Sequence, residues 1–430
     1  MAARVLVVGP GAREHALAWG LARSPLVGEI VCAPGNPGMA ALGECVAVNA
    51  VDPAAVSDLA DRIRPDLVVV GPEDPLVAGV VDALQNRGHL AFGPNAAAAR
   101  LEGSKKWMKD VLASAGVPTA GYRSFGAGDE AAAFAFLESL TAPYVVKTDG
   151  LAAGKGVVVA ESMSEAREAV RAYLSGEAFG DAGRTCVIEE ALHGPEVSLF
   201  ALCDGRDAFP IALAQDHKRA FDGDAGPNTG GMGAYSPEPE SNAPAGLVDE
   251  MMEKAILPTL AELRRRDAEF RGFLYCGLML DPVKGPQVLE YNVRLGDPEG
   301  QVLVPRLASD LYLHCREAAE GRIETEVKLA DVACVGVALA AEGYPPAPVR
   351  RGDPIEGLAA AGACPGVIVF HAGTKFDDAG RVTTNGGRVL TVSATASDLV
   401  SARDRAYEAA TLISWPGLHY RRDIAAQAVS

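Results

Sequence analysis

The chain has 430 residues, too many for one ordinary core, and its 49% hydrophobic and 22% charged content reads as roughly two to four packed units rather than a disordered chain. A formal charge of −17 argues against nucleic acid or an anionic membrane as partner, since both recruit a basic face; an anionic substrate must then be held by a few local Lys, Arg and backbone N–H groups. Eight cysteines without a CxxC pair or a His/Cys cluster point to reduced thiols rather than a disulfide framework or a zinc site, and with no signal-peptide pattern or bilayer-length apolar run a cytoplasmic protein is expected.

The first hundred residues alternate strands and helices. Arg4–Val8, Glu29–Ala33, Leu67–Val70 and Leu90–Phe92 are short and apolar on both faces, and helical patterns lie between them at Glu14–Ala22, Ala54–Arg62 and Val77–Arg87. Such strands predict a doubly wound parallel sheet. Ligands of these sheets sit at the carboxyl ends of the strands, where the turns Gly9–Arg13, Pro34–Gly38 and Gly71–Pro75 fall. The first turn, VGPGAREHA, has Gly9 and Gly11 but lacks the third glycine of a dinucleotide fingerprint, which weakens a nicotinamide-dependent oxidoreductase reading. What survives is a helix N-terminus bearing Arg13, suited to a phosphate or sugar phosphate. His15, inside the helix, reads as a packed histidine.

A helix at Lys105–Ala115 leads to a strand, Tyr144–Lys147, a glycine-rich turn, Asp149–Gly156, and a second strand, Val157–Ala160. A lysine closing an apolar strand is poorly placed unless it meets an anion, and the glycines after it let backbone N–H groups approach phosphates. The bland alternative is a hairpin with a solvated lysine. Cys186–Glu190 and Val197–Cys203 read as strands, and Asp222–Pro237 reads as a long loop. The segment QDHKRAFDGDAGPNTGGMGAYSP (Gln215–Pro237) has the composition of a loop that closes over a small polar substrate.

Met251–Arg266 is predicted helical, Gly277–Leu280 and Gln287–Tyr291 pair as strands, and Ser309–Glu320 is helical. Glu290 and Asn292 alternate on one strand, so both oxygens face one side, a donor pair that suits Mg²⁺. Arg294 extends that face and could neutralise an anionic intermediate or fork a carboxylate. A polar edge strand is the alternative. From about Val327 the texture turns β-rich: Cys334–Ala340, Val367–His371 and a hairpin around Thr384–Gly387, followed by a helix at Ala396–Leu412 and the tail WPGLHYRRDI.

Taken together and in order, GPGAREHALAW, APGNPG, VVGPEDPLVAGVVD, LEGSK, KTDGLAAGKGV, QDHKRAFDGDAGPNTGGMGAYSP, YNVRLGDPE and WPGLHYRRDI resemble the glycinamide ribonucleotide synthetases of the ATP-grasp superfamily nearly end to end. The resemblance implies an α/β fold: an N-terminal doubly wound parallel sheet (1–103), an ATP-grasp central unit (104–326) with a flexible lid subdomain at about 124–194, and a C-terminal β-rich α+β domain (327–430). It implies ATP-dependent ligation of glycine to phosphoribosylamine through glycyl phosphate, in purine biosynthesis, with small molecules as partners; a monomer is slightly favoured. Another ATP-grasp carboxylate–amine ligase is the nearest alternative.

The same resemblance assigns residues. Lys105 and Lys147 would contact the phosphates of ATP under a lid formed by Asp149, Gly150, Gly154, Lys155 and Gly156. Glu189, Glu190 and Leu192 would receive adenine and Glu196 the ribose. Glu290 and Asn292 would hold Mg²⁺ or Mn²⁺, and Asp216, Lys218 and Arg294 would face glycine. Gly9, Gly11, Arg13, Glu14, Gly35, Asn36, Gly71, Pro72 and Glu73 would shape the phosphoribosylamine pocket, with Asn228, Thr229, Gly230 and Gly231 in the substrate loop. Pro10, Ala12, Pro195 and Leu295 depart from the usual family pattern, more in packing than in chemistry.

Overall fold

The computed structural model describes residues 2–151, 156–176, 184–238, 243–345 and 348–429. Its first unit is a five-stranded parallel sheet in the order Glu44–Cys45, Val27–Pro34, Ala3–Gly9, Leu67–Val70, Ala91–Phe92. The side-chain period of two explains why the strands are apolar throughout: Val5 and Val7 join the core beneath the helix Ala12–Ala22, while Leu6 and Val8 join the core beneath Pro53–Ile63 on the other face. The strand order reverses beside Ala3–Gly9, which places the Gly9 and Gly71 turns at the switch point of the sheet.

Several elements differ from the sequence reading. The helix expected at Val77–Arg87 is two, Glu73–Val77 and Val80–Asn86, because Gly79 between them is left-handed (φ 85°). The helix expected over Met251–Arg266 runs from Leu247 to Arg265 and contains the π-turn Met252–Ile256, which ends two residues before Pro258, a residue that cannot donate a helical hydrogen bond.

The central unit carries a four-stranded antiparallel sheet, Tyr122–Gly126, Thr185–Glu190, Tyr144–Thr148 and Val157–Ala160, backed by the helices Glu130–Glu138 and Met163–Leu174. Opposite it lies an eight-stranded antiparallel sheet that begins with Gly285–Asn292 and Arg271–Asp281 and ends with Ala333–Ala340, Arg388–Ala396 and Val367–His371. The link between its halves is Gly233–Ser236, inside the segment read as a loop. This short strand pairs with Gln215 and Asp216 on one side and with Cys334–Val337 on the other. Glycine is required there, since a Cβ at Gly233 would lie 2.7 Å from the Gly336 carbonyl oxygen. A second strand in the same segment, Ala225–Asn228, pairs with Arg219–Phe221.

The C-terminal hairpin is also shifted. Thr374–Phe376 pairs with Val382–Thr384, and the Asp377 carboxylate makes the turn by accepting the N–H groups of Ala379 and Arg381. The glycines after Thr384 carry the chain away instead, into Arg388–Ala396. No helix of the described residues is long and apolar enough to cross a membrane.

Candidate active site

Glu290 lies on Gly285–Asn292 opposite Gly277, and Asn292 lies opposite Tyr275. Burial alone would raise the Glu290 carboxyl, but Lys105, Lys147, Lys218 and Arg294 together hold it below the usual carboxylate range. Four cations from four separate segments thus converge on one carboxylate. The Asn292 side-chain oxygen accepts from Arg294 Nη2 at 3.1 Å, while its buried nitrogen has no hydrogen-bond partner among the described residues. Glu290 and Asn292 are the hard-oxygen donors that a divalent cation takes, and the nearby lysines carry the charge that a phosphate ligand needs, so the residues fit a metal–nucleotide site.

Lys147 is placed by a buried pair of charges. Its ammonium is 3.0 Å from one oxygen of Glu189, and Lys109, fully buried, holds the other oxygen at 2.9 Å while also donating to Thr119 at 2.7 Å. Burial would protonate Glu189; the two lysines keep it charged. Its carboxylate is therefore committed to cations, whereas Glu190 is half-buried beside Lys284 at 2.6 Å. Leu192 is half-buried, and Glu196 lies 2.5 Å from Lys218, which also touches Asp216 at 3.2 Å. Burial and Glu196 raise the Asp216 carboxyl despite Lys218.

The flap is tied to a helix start. Asp149 accepts from the Ser104 hydroxyl and from the Lys106 N–H, both at 3.1 Å, and the Lys105 ammonium reaches the Gly150 carbonyl at 3.4 Å. Gly156 accepts from the Thr148 N–H at 2.8 Å. Gly154 and Lys155 lie outside the described residues.

Arg13 is buried in a network of its own. Its Nε is 2.6 Å from Glu14, its Nη1 donates to the Leu295 carbonyl at 3.1 Å, and its Nη2 is 3.4 Å from Glu73. Only 5% of the residue is exposed, and Glu14, Glu73 and the Leu295 carbonyl hold its guanidinium in place. Glu73 is its bridge to the metal strand, standing 3.0 Å from Arg294 Nε, and Glu102 completes the chain at 2.6 Å from Arg294 Nη2. Burial works against charge on Glu73, but Arg294 and Arg13 hold it well below the usual range.

Glu102 carried no role in the sequence reading, although it lies in LEGSK. Glu299 was likewise missed. It is buried, and burial together with the nearby Asp216 pushes its carboxyl up to about 7.

The turns expected to shape the sugar pocket do meet. Gly71 packs so tightly on Glu14 that a Cβ would collide with Glu14 Cγ, and Glu14 caps its own helix by accepting from the Gly11 N–H at 2.8 Å. Gly9 joins them with φ 127°, and Pro72 precedes the helix carrying Glu73. Near Gly35, the Asn36 amide donates to the carbonyls of Pro10 and His371, each at 2.8 Å, pinning the N-terminal turns to the C-terminal segment. His15 is packed there, its Nδ1 accepting from the His371 N–H at 2.9 Å. In the substrate segment Asn228 pairs with Arg219, Thr229 Oγ1 bonds the Lys218 carbonyl and the Gly231 N–H, and the Gly230 carbonyl accepts from Arg388 at 2.6 Å.

A lysine-bearing antiparallel hairpin set against a strand of oxygen donors amid four cations, beside a doubly wound sheet, defines an ATP-grasp protein. A biotin carboxylase from Campylobacter jejuni shares the fold, with a TM-score of 0.75 at 15% identity and 99% of each chain covered. Family models for the N domain, the ATP-grasp domain and the C domain of phosphoribosylglycinamide synthetase match residues 3–102, 103–300 and 334–427. A phosphoribosylamine–glycine ligase of Streptomyces coelicolor is 50% identical over 430 residues, 99% of each chain. The crystal structure of the Thermotoga maritima phosphoribosylamine–glycine ligase superposes with a TM-score of 0.85 at 34% identity, covering 98% of this chain and all of that one. The chain belongs to the phosphoribosylglycinamide synthetase family.

Proposed function

We infer that the chain ligates glycine to 5-phosphoribosylamine at the expense of ATP, giving glycinamide ribonucleotide, ADP and phosphate for purine biosynthesis. The convergence of Lys105, Lys147, Lys218 and Arg294 on Glu290 carries this reading, because a carboxylate and a triphosphate can approach one another only where several cations offset their charge. A divalent cation, Mg²⁺ or Mn²⁺, held by Glu290 and Asn292 would neutralise phosphate oxygens of ATP.

Lys105 and Lys147 bind the phosphate chain, and Lys218 and Arg294 orient the glycine carboxylate. One carboxylate oxygen attacks the γ-phosphorus, the bond to the β–γ bridging oxygen breaks, and ADP leaves with glycyl phosphate formed. The phosphoribosylamine nitrogen then attacks the acyl carbon; the carbon–oxygen bond to phosphate breaks, inorganic phosphate departs, and nitrogen loses a proton. Positioning and charge neutralisation account for both steps without a nucleophilic side chain.

Residues 1–103 and the turn at 228–231 would supply the amine pocket, 104–326 the nucleotide site with 124–194 as its lid, and 327–430 its outer wall, in a cytoplasmic monomer. The test is ADP release by the full chain with glycine and phosphoribosylamine formed in situ from ribose 5-phosphate and ammonia. Turnover that persists without either substrate would overturn the reading.

A further inference from the structure

Two cysteines to which the ligase chemistry gives no role stand side by side against the turn at Gly35 and Asn36. In the parallel sheet, Cys32 on Val27–Pro34 is the direct partner of Cys45 on the edge strand Glu44–Cys45. Residues paired in this way point to the same face. Neighbouring strands lie about 4.8 Å apart, inside the Cα separation of roughly 4.4–6.8 Å that a disulfide spans. The two thiols are in hydrogen-bond contact with one another. Of the eight cysteines Cys45 is the exposed one, whereas Cys32 is buried.

The pair is coupled to the turn. Gly35, left-handed at φ 71°, lies so close that a Cβ there would stand 2.6 Å from Cys45 Sγ and 2.8 Å from Cys32 Cβ. Cys45 Sγ donates to the Asn36 carbonyl at 3.7 Å. The Asn36 side chain in turn accepts the N–H groups of Gly38 and Met39, each at 3.0 Å, besides its bonds to Pro10 and His371. An edge strand of two residues has few ladder bonds to resist a shift, whereas Cys32 is held inside a strand of eight. Drawing Cys45 Sγ to bonding distance of Cys32 therefore moves the short strand, breaks the contact with Asn36 and disturbs the turn rather than the sheet.

We propose that Cys32 and Cys45 form a thiol modification site at which a low-molecular-weight disulfide closes a bond between them and thereby weakens binding of the amine substrate. The Cys45 thiolate, the accessible partner, attacks one sulfur of the disulfide RSSR; that S–S bond breaks, and RSH leaves with the Cys45 proton. The Cys32 sulfur then attacks the Cys45 sulfur of the mixed disulfide, a second RSH departs with the Cys32 proton, and the Cys32–Cys45 bond remains. Two thiols are oxidised and one disulfide is reduced. Burial raises both thiols, Cys32 to about 12, and only a thiolate attacks, so closure is slow at neutral pH and faster in mild alkali. The bond rests on the cysteine geometry alone; its effect on the amine substrate rests on the ligase reading.

The test incubates the full chain, Cys32→Ser and Cys45→Ser with glutathione disulfide at mildly alkaline pH, then blocks free thiols and maps the peptides by mass spectrometry. Wild type should yield two peptides joined through Cys32 and Cys45, which dithiothreitol separates. Cys32→Ser should stop at a glutathione adduct on Cys45, and Cys45→Ser should leave Cys32 unmodified. The KM for phosphoribosylamine should rise about tenfold in oxidised wild type, as a displaced positioning turn would cause, and return on reduction. In treated Cys45→Ser it should stay within about twofold of that variant's own reduced value, as should the KM for ATP in oxidised wild type. Failure to recover the joined peptides from wild type, or an unchanged KM for phosphoribosylamine in fully joined protein, overturns the proposal. Absence of glycine-dependent ADP formation in reduced wild type counts instead against the ligase reading.

Discussion

The Lys147 ammonium and the Glu189 carboxylate stand 3.0 Å apart, and Lys109 holds the second Glu189 oxygen at 2.9 Å. Glu189 therefore fixes the cation that meets the nucleotide, and the two residues should fail differently. Lys147→Ala removes a phosphate contact and should lower ADP formation by about 100-fold or more with an unchanged circular dichroism spectrum. Near-normal turnover would refute the phosphate role. Glu189→Gln leaves Lys109 buried without its counter-charge and should cost roughly 3–5 kcal/mol of stability, read as a lowered urea midpoint.

Glu290 is the second point of leverage. Replacing it by Gln keeps the shape and removes the charge that both metal and lysines answer to, so the divalent-ion concentration for half-maximal activity should rise by at least about tenfold. Substrate-saturated activity at high metal should recover in part. A metal titration superimposable on that of the wild type would remove Glu290 from the ligand set.

What the sequence revealed and what it hid follow from the range of the interactions. The parallel sheet was legible because Val5–Val8 are apolar at every position, and the Lys147 flap and the Glu290–Asn292 pair because their spacing is local. The burial of Arg13 and its contacts with the Leu295 carbonyl and Glu73, 282 and 60 residues away, leave no trace in the local sequence. Arg294 is held by Glu102 and Glu73, at separations of 192 and 221 residues, and no local pattern reports those partners. The strand Gly233–Ser236 was hidden by its glycine-rich surroundings. It forms because two sheets meet there at a backbone distance that a side chain would prevent, a tertiary effect that overrides composition.

Three of the four histidines buried among the described residues, His15, His217 and His371, should each favour unfolding in mild acid. Burial, with His371 adding to it, lowers His15 to about 3; burial, with Arg421 adding to it, lowers His217 to about 4; burial lowers His371 to about 4. Geometry agrees for two of them: His15 Nδ1 accepts the His371 N–H and His217 Nε2 accepts the Ala425 N–H, roles that only neutral rings can fill. Between an unfolded value of about 6.5 and these folded values each histidine binds more proton in the unfolded chain, so the histidine contribution to stability is complete above about pH 6.5 and declines as pH falls toward 4. The slope should approach roughly 1 kcal/mol per pH unit for each histidine. Glu102 and Glu299, whose carboxyls burial pushes up to about 7, work in the opposite direction over this range, so the histidine contribution is read against a variant: the urea midpoint of wild type minus that of His217→Gln should decrease from pH 7 to pH 5. A difference constant over that range would sink the assignment.

Arg421 offers a test of how the C-terminal tail is held. The side chain is 1% exposed, and its guanidinium bonds both oxygens of Asp423 at 2.7 Å, Asp224 at 2.6 Å and the Arg219 carbonyl at 3.1 Å. It joins the tail to the segment that begins at Lys218, three residues after Gln215. Because Asp224 and Asp423 keep access to water, they can be resolvated when the cation is removed, so the loss comes mainly from the arginine's packing and its hydrogen bonds. Arg421→Met retains much of the volume and should cost about 2 kcal/mol; Arg421→Ala, which also leaves a cavity, should cost more. Since Lys218 and Thr229 sit on the clamped segment, Arg421→Ala should also raise the KM for glycine while leaving that for ATP near its wild-type value. Equal changes in both KM values, or a midpoint identical to wild type, would show that the tail does not organise the substrate loop.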